Sequence, residues 1–279
     1  MGDFRFYLDG RTLTKSEEKI VNYIYQHLSI IPFLSIGKIA EELNISVATL
    51  SRFVRHMGYE SLKDLKVAIM EHENVTTPAG KLQKTLSMAD ANTAVQLLKR
   101  QEACLAQTRE NLSEPDVKKA VAAIRDAETV YFLGKGASRG LVELFSFRLC
   151  RFQKRTVTLP PSGSELFERL VDVKQNDLVI LFGFYKMPVE ARVTLEQARE
   201  VGCKTLLFTD RLYSDEEQRG DINLYVYRGE LREYHSMAAA VALIDTLVVL
   251  TARELEGEPV QSLSDLYQLK EKYADIIPR

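Results

Sequence analysis

The apolar residues of segment 35–55 recur at the spacing of two short helices separated by a tight turn. The turn contains Asn44, and asparagine tolerates the left-handed conformation that such a turn requires. Ser35 and Ser46 precede the two helices as candidate N-caps. The pattern predicts a helix-turn-helix, a motif whose second helix reads the major groove of DNA. The apolar positions that define it are Ile36, Ile39, Leu43, Ile45, Leu50 and Phe53.

The second helix, predicted over residues 47–57, has an apolar side and a polar side. Leu50 and Phe53 should be buried together with Val54 or Met57, while Val47 points outward. Hydroxyl and guanidinium groups bond base edges and phosphates, and a small side chain allows close approach. An ordinary helical hairpin with a solvated outer face is the alternative. The residues that we expect at the DNA are Ser46, Ala48, Thr49, Ser51, Arg52, Arg55 and, in the next helix, Lys63.

The apolar pattern also divides the chain into an all-α N-terminal part and a longer C-terminal part. A helix over residues 14–28 opens with Thr14 and has Glu17 three residues later, which is a capping box. Another helix starts at Ser61. The pattern then weakens across the stretch VTTPAGKLQ, and a long helix is predicted over residues 92–111. We therefore predict a DNA-binding domain over residues 1–74, a linker over 75–91 and a second domain over 92–279.

Short apolar runs alternate with helical patterns after Glu114-Pro115, a good helix start. The predicted strands are 129–133, 156–159, 177–182, 205–208 and 222–227. The predicted helices are 138–152, 165–171, 189–201, 234–255 and 262–273. Nearly continuous apolar strands between helices predict a doubly wound α/β domain with a five-stranded parallel sheet. Ligands of such domains bind beyond the carboxyl ends of the strands.

The loop after the first strand suits an anion. Gly134 and Gly136 let the backbone approach a ligand, and the following helix begins with Ser138, which can donate to a phosphate oxygen. Lys135 adds positive charge. A glycine in a tight strand–helix turn can equally be required for steric reasons alone, without any ligand. Because Arg139 stands where the dinucleotide fingerprint needs its third glycine, a nicotinamide cofactor is not expected.

Charge and cysteine content limit the partners. The 279 residues carry a net charge of −2, and residues 1–72 contain nine basic and nine acidic side chains, so a single copy should bind DNA weakly. A dimer on a two-fold operator would double the local positive charge. The widely spaced Cys104, Cys150 and Cys203 indicate buried reduced thiols rather than disulfides or a metal site. No leader and no apolar run of spanning length is found, which favours a cytoplasmic protein without membrane contact.

Two stretches of the chain, IGKIAEELNISVATLSRFVRHMGYESLKDLK and FLGKGAS, carry a family resemblance. The first is similar to the N-terminal pattern of the RpiR family of bacterial transcription regulators, and the second resembles the first loop of the sugar isomerase (SIS) domain of that family. Ser236, which opens the run MAAAVALIDTLVVL, resembles the serine that starts a helix of that domain, with Ile244-Asp245 in register. The N-terminal matches are Ile39, Ala40, Ser46, Ala48, Thr49, Arg52, Phe53, Gly58, Tyr59, Leu62, Leu65 and Lys66.

The resemblance implies a DNA-binding regulator, typically a repressor, whose SIS domain senses a sugar or sugar phosphate and forms a homodimer or homotetramer. The chain departs from the family in the loop after the third strand. That loop is usually S-x-S-G-x-T and holds phosphate, whereas residues 183–188 read GFYKMP, as in a variant subgroup with an aromatic and basic loop ending in proline. The expected effector contacts are Gly134, Lys135, Gly136, Ser138, Tyr185, Lys186 and Ser236.

Two alternative functions remain open from the sequence. A sugar-phosphate isomerase would need a carboxylate base and often a histidine, for which Glu165 and His235 are the candidates. Without the serine-rich phosphate loop, we expect neither residue to be catalytic. The second alternative is a regulator whose SIS domain only oligomerises. No metal and no cofactor are expected.

Overall fold

A computed structural model of the chain describes residues 13–27, 30–31, 34–75, 78–88, 93–185, 187–211, 218–230 and 233–277. These residues form two compact units. The first unit runs to Arg100 and includes residues 229–230 and 233–236. The second unit comprises the other described residues from Gln101 onward. This division falls inside a helix, later in the chain than the predicted start of the second domain.

The first unit is built from helices around one hydrophobic core. Its core side chains come mainly from the first four helices and include Ile20, Ile24, Leu43, Phe53 and Ile69. The fifth helix lies inside the segment predicted as a linker, and Pro78 at its start is compatible with a first helical turn. The helices are α1 (Lys15–Gln26), α2 (Ile36–Leu43), α3 (Val47–His56), α4 (Leu62–Val75), α5 (Pro78–Leu86) and the start of α6 (Ala94–Glu110).

The second unit is a parallel sheet with helices on both faces, as predicted. The strands follow the order β2-β1-β3-β4-β5, and every neighbouring pair is parallel. The strands are β1 (Thr129–Leu133), β2 (Arg155–Thr158), β3 (Leu178–Gly183), β4 (Lys204–Thr209) and β5 (Ile222–Tyr225). The helices are α7 (Glu114–Asp126), α8 (Ser138–Cys150), α9 (Glu165–Leu170), α10 (Val189–Glu200), α11 (Ala238–Glu254) and α12 (Glu258–Lys272).

Alternate residues of each central strand face different cores because side chains along a strand point to opposite faces. In β1, Val130 and Phe132 pack with side chains of α7, α8 and α11. Tyr131 and Leu133 pack with side chains of α9 and α10 on the other face. All residues of β1 and β3 are buried, which explains why these strands are continuously apolar in the sequence.

Two helix starts and one thiol differ from the predictions. α11 begins at Ala238 rather than 234, and the Tyr234 amide instead donates to the Thr85 hydroxyl, 2.9 Å away. α12 begins four residues earlier than predicted, because Gly257 turns the chain with a positive φ and Pro259 occupies the first turn. The three cysteines are free, but Cys150 is exposed, contrary to expectation. Burial raises the pKa of Cys203 to about 12.

Candidate DNA-binding face and effector site

The turn between α2 and α3 has the geometry expected of a helix-turn-helix. Asn44 ends α2 in the left-handed conformation, with φ 52° and ψ 49°. The Ser35 hydroxyl accepts the Lys38 amide at 3.1 Å, and the Ser46 hydroxyl accepts the Thr49 amide at 3.0 Å. Both helices therefore have a side-chain N-cap, and the predicted turn residue is confirmed.

The end of α3 is fixed equally well. Gly58 adopts φ 87°, and its amide donates to the Arg55 carbonyl. The amide of Tyr59 donates to the Val54 carbonyl, which completes a Schellman motif. Because this motif needs a left-handed residue directly after the helix, it accounts for Gly58 in the sequence.

One side of α3 is buried and the other is exposed. Leu50, Phe53, Val54 and also Met57 are buried, so both apolar alternatives at the end of the helix lie in the core. The Ser46 and Thr49 hydroxyl oxygens lie 2.8 Å apart, which ties both side chains to the cap. The predicted DNA-contacting residues that are exposed are Ser46, Ala48, Arg52, Arg55 and Lys63, while Thr49 and Ser51 are partly exposed.

Polar contacts join the helices of the first unit, and one of them involves the end of α3. His56 Nδ1 lies 2.6 Å from Glu17 Oε1. The Thr14 amide donates to the Glu17 carboxylate, and this hydrogen bond, together with the interaction with His56, lowers the pKa of Glu17. The predicted capping box of α1 is present. Lys19 donates to the Leu43 carbonyl at 2.9 Å. Lys66 in α4 donates to the Leu34 carbonyl and is partly buried, so its ammonium group is only partly available to a DNA phosphate.

Close packing around Gly134 constrains the loop after β1. A Cβ on Gly134 would lie 2.7 Å from the Val142 side chain and 2.8 Å from the Ser138 carbonyl oxygen. Gly136 has φ 59° with open space around it. Ser138 is buried and makes no side-chain cap. Lys135 is paired with Glu190 at 2.7 Å, and this bond lowers the pKa of Glu190.

We expect Gly134→Ala to destabilise the second unit by about 1–3 kcal/mol, because the new methyl group meets a backbone atom that cannot move aside. Chemical denaturation of the full chain measures the change. Gly140→Ala is the matched control: it lies in α8 with nothing within 4 Å of its added Cβ, and should stabilise by about 0.5–1 kcal/mol. Equal stability of the two variants would show that the turn relaxes.

The loop after β3 is held through its backbone. Tyr185 has a positive φ of 62°, and its amide donates to Asp210 Oδ1 at 2.7 Å. The Arg211 guanidinium donates to the Tyr185 carbonyl. Lys186, a predicted effector contact, lies outside the described residues. The loop conformation is therefore set by residues that follow β4.

A charged cluster near the ends of β4 and β5 was missed by the sequence reasoning. Arg228 Nη2 lies 2.8 Å from Asp210 Oδ2, and its guanidinium carbon is 4.3 Å from the centre of the Phe184 ring. Arg228 is buried. The available signal was a charged residue within three positions of the end of each of two apolar strands, because parallel strands bring their carboxyl ends to one edge.

The remaining predicted residues are distributed over both units. Ser236 and His235 belong to the first unit and are partly buried. Glu165 is the exposed first residue of α9 in the second unit. In the described part of the chain, no group of three or more His, Cys, Asp or Glu side chains could hold a metal ion. No helix among those residues combines the length and apolar character needed to span a bilayer.

A capped helix-turn-helix with an exposed recognition helix, followed in the same chain by a doubly wound α/β unit, defines a transcription regulator with a separate regulatory domain. Residues 8–74 match the helix-turn-helix domain of the rpiR family, and residues 123–252 match the SIS domain. The chain belongs to the RpiR family of transcriptional regulators.

Relatives and solved structures agree with this assignment. An HTH-type transcriptional regulator from Clostridium perfringens is 25% identical over 254 residues, covering 89% of this chain and 91% of that protein. The sugar isomerase domain of an RpiR transcription factor from Sphaerobacter thermophilus is 23% identical, with a TM-score of 0.58, and covers 62% of this chain and 97% of that one. Vibrio vulnificus NanR complexed with ManNAc-6P is 18% identical, with a TM-score of 0.59, over 99% and 98% of the two chains. The two structures establish the likeness of fold.

Proposed function

We propose that this regulator represses genes of sugar metabolism from a two-fold DNA operator in the cytoplasm, and that a sugar-derived effector in the SIS domain controls its binding. The observation that carries the proposal is the exposed polar side of α3, positioned by two capped helix starts and a left-handed turn. Arg52 and Arg55 project from this side, where they could reach base edges or phosphates.

The balance of charge supports a homodimer or homotetramer as the DNA-binding form. Residues 1–72 are electrically neutral overall, so one copy offers few phosphate contacts beyond its exposed arginines and Lys63. Two copies on a symmetric operator double those contacts without a change in sequence. The α/β unit would supply the interface between copies.

The proposed effector site is the carboxyl edge of the parallel sheet, where the loops after β1 and β3 begin. NanR, which shares the fold, is complexed with ManNAc-6P, and this supports a sugar-derived ligand. Binding would shift the equilibrium between arrangements of the DNA-binding units, so that their spacing fits or misfits the operator.

The experiment is selection of bound duplexes from a random double-stranded library by the purified full chain. We expect an enriched inverted repeat, and an effector from a panel of sugars and sugar phosphates that changes affinity for it by about 5–150-fold. A chain that enriches no sequence would contradict the proposal. A panel that changes nothing would favour an α/β unit that only oligomerises.

Isomerase activity is the competing function, and we propose that it is absent. The GFYKMP loop offers none of the serine and threonine hydroxyls that hold phosphate in related isomerases. Conversion of pentose or hexose phosphates by the pure protein, lost in Glu165→Gln, would overturn this part of the proposal.

A further inference from the structure

The carboxylate of Asp210 is surrounded by three donors of its own chain. Oδ1 accepts the Tyr185 amide at 2.7 Å. Oδ2 accepts two hydrogen bonds from the Arg228 guanidinium, from Nη2 at 2.8 Å and from Nε at 3.2 Å. The Asp210 side chain is 16% exposed and the Arg228 side chain 7% exposed. The ion pair is therefore largely withdrawn from water, where charge-assisted bonds are strongest.

These donors are of the kind that binds phosphate. A backbone amide in the loop after a parallel strand and a guanidinium that offers two parallel N–H groups are common partners of phosphate oxygens. In this chain they are directed at an internal carboxylate instead. Asp210 thus occupies, as an anion, the donors that a bound phosphate would require.

Neighbouring side chains also contact the first half of the loop. The Met187 side chain lies against Gly183, so close that a Cβ there would be 2.8 Å from its methyl carbon. The Phe184 ring lies against the Arg228 guanidinium, and Arg211 donates to the Tyr185 carbonyl. Phe184 is thus held by Arg228, and the Tyr185 backbone by Asp210 and Arg211.

A further cation at this edge of the sheet, in the loop after β1, is also neutralised internally. Lys135 is paired with Glu190 at the start of α10. This pair is more exposed than that of Asp210 and Arg228, so it is the weaker obstacle to a ligand.

We propose that Asp210 is a specificity-determining residue that keeps phosphate monoesters away from the loop after β3. The phosphate dianion would lose its donors to Asp210 and would also be repelled by this carboxylate at short range. The inference rests on the proposed function for the location of the effector site. It narrows the effector to a sugar that carries no phosphate at this loop.

The test is binding of inorganic phosphate to the full chain by calorimetry at constant ionic strength. Asp210→Asn keeps the shape and an oxygen for the Tyr185 amide, but removes the negative charge opposite Arg228. We expect phosphate to bind Asp210→Asn at least about tenfold more tightly than wild type. The double variant Asp210→Asn/Arg228→Gln should lose this gain. Asp126→Asn, which removes the carboxylate of the exposed Arg125–Asp126 pair, should bind like wild type.

Equal phosphate affinity of wild type and Asp210→Asn would overturn the proposal, as would a gain that persists without Arg228. Should Asp210→Asn fail to fold, hydrogen exchange of the Tyr185 amide in wild type replaces it. We expect slow exchange in phosphate-free buffer and no change on adding phosphate. An amide that exchanges freely and becomes protected by phosphate would overturn the proposal. Neither measurement involves DNA, whereas the proposed function fails by enriching no operator.

Discussion

Phe53→Ala should destabilise the first unit by about 3–5 kcal/mol and eliminate operator binding at 37 °C. Phe53 is 2% exposed and is among the largest fully buried side chains of the helical core. Its loss removes apolar contacts on the inner side of α3 and leaves a cavity behind the recognition helix. A small domain has only about 5–15 kcal/mol of stability in total, so a loss of this size populates its unfolded form.

Native-state hydrogen exchange of amides in α1–α4 measures this loss separately from the second unit. Amides of β1 and β3 should keep their wild-type protection. Phe167→Ala is the matched control, because its ring is 58% exposed on α9 and its removal should cost under about 1 kcal/mol. Equal protection of α1–α4 in wild type and Phe53→Ala would mean that the core of the first unit does not depend on this ring.

The helix-turn-helix was predictable because its determinants are local. An N-cap serine bonds an amide three residues later, and a left-handed residue ends a helix through its own backbone conformation. Ser35, Asn44 and Ser46 therefore each carry their structural role in the sequence itself. The choice between Val54 and Met57 in the core was not local, and the tertiary fold buries both.

The parallel sheet was predictable for a related reason. Strands buried on both faces are apolar throughout, and the helices between them have helical periodicity. The predicted bounds differ from the observed ones where the signal is weak. α5 has few buried residues, so its apolar pattern resembles that of a linker. The start of α12 depends on Gly257 and Pro259, a signal that hydrophobic periodicity does not contain.

The charged cluster around Asp210 could not be derived from spacing. Asp210 and Arg228 are 18 residues apart, and they meet because β4 and β5 are neighbours with their carboxyl ends at one edge. The sequence shows that the usual serine loop is missing, but it does not show that an internal carboxylate takes the amide of Tyr185. That bond follows from the strand order together with the left-handed conformation of Tyr185.

Arg52→Ala should weaken operator binding by about 1–3 kcal/mol, or roughly 5- to 150-fold, and relax base preference at one position of each half-site. The side chain is exposed on α3, and the hydrogen bond that it donates to the Ala48 carbonyl is long at 3.4 Å. Little is therefore lost inside the protein when the guanidinium turns to a guanine edge. Affinity for the selected operator and for a set of single-base variants measures both effects.

Lys63→Ala should behave differently, because an ammonium at the start of α4 suits a phosphate rather than a base edge. We expect uniformly weaker binding to all sequences. The slope of the logarithm of the binding constant against the logarithm of the salt concentration should be shallower by about one per copy. Arg253→Ala is the control, since it removes an exposed arginine from the second unit and should leave both quantities unchanged. If Arg52→Ala instead kept its affinity and base preference, α3 would lie in the groove with another side towards the bases.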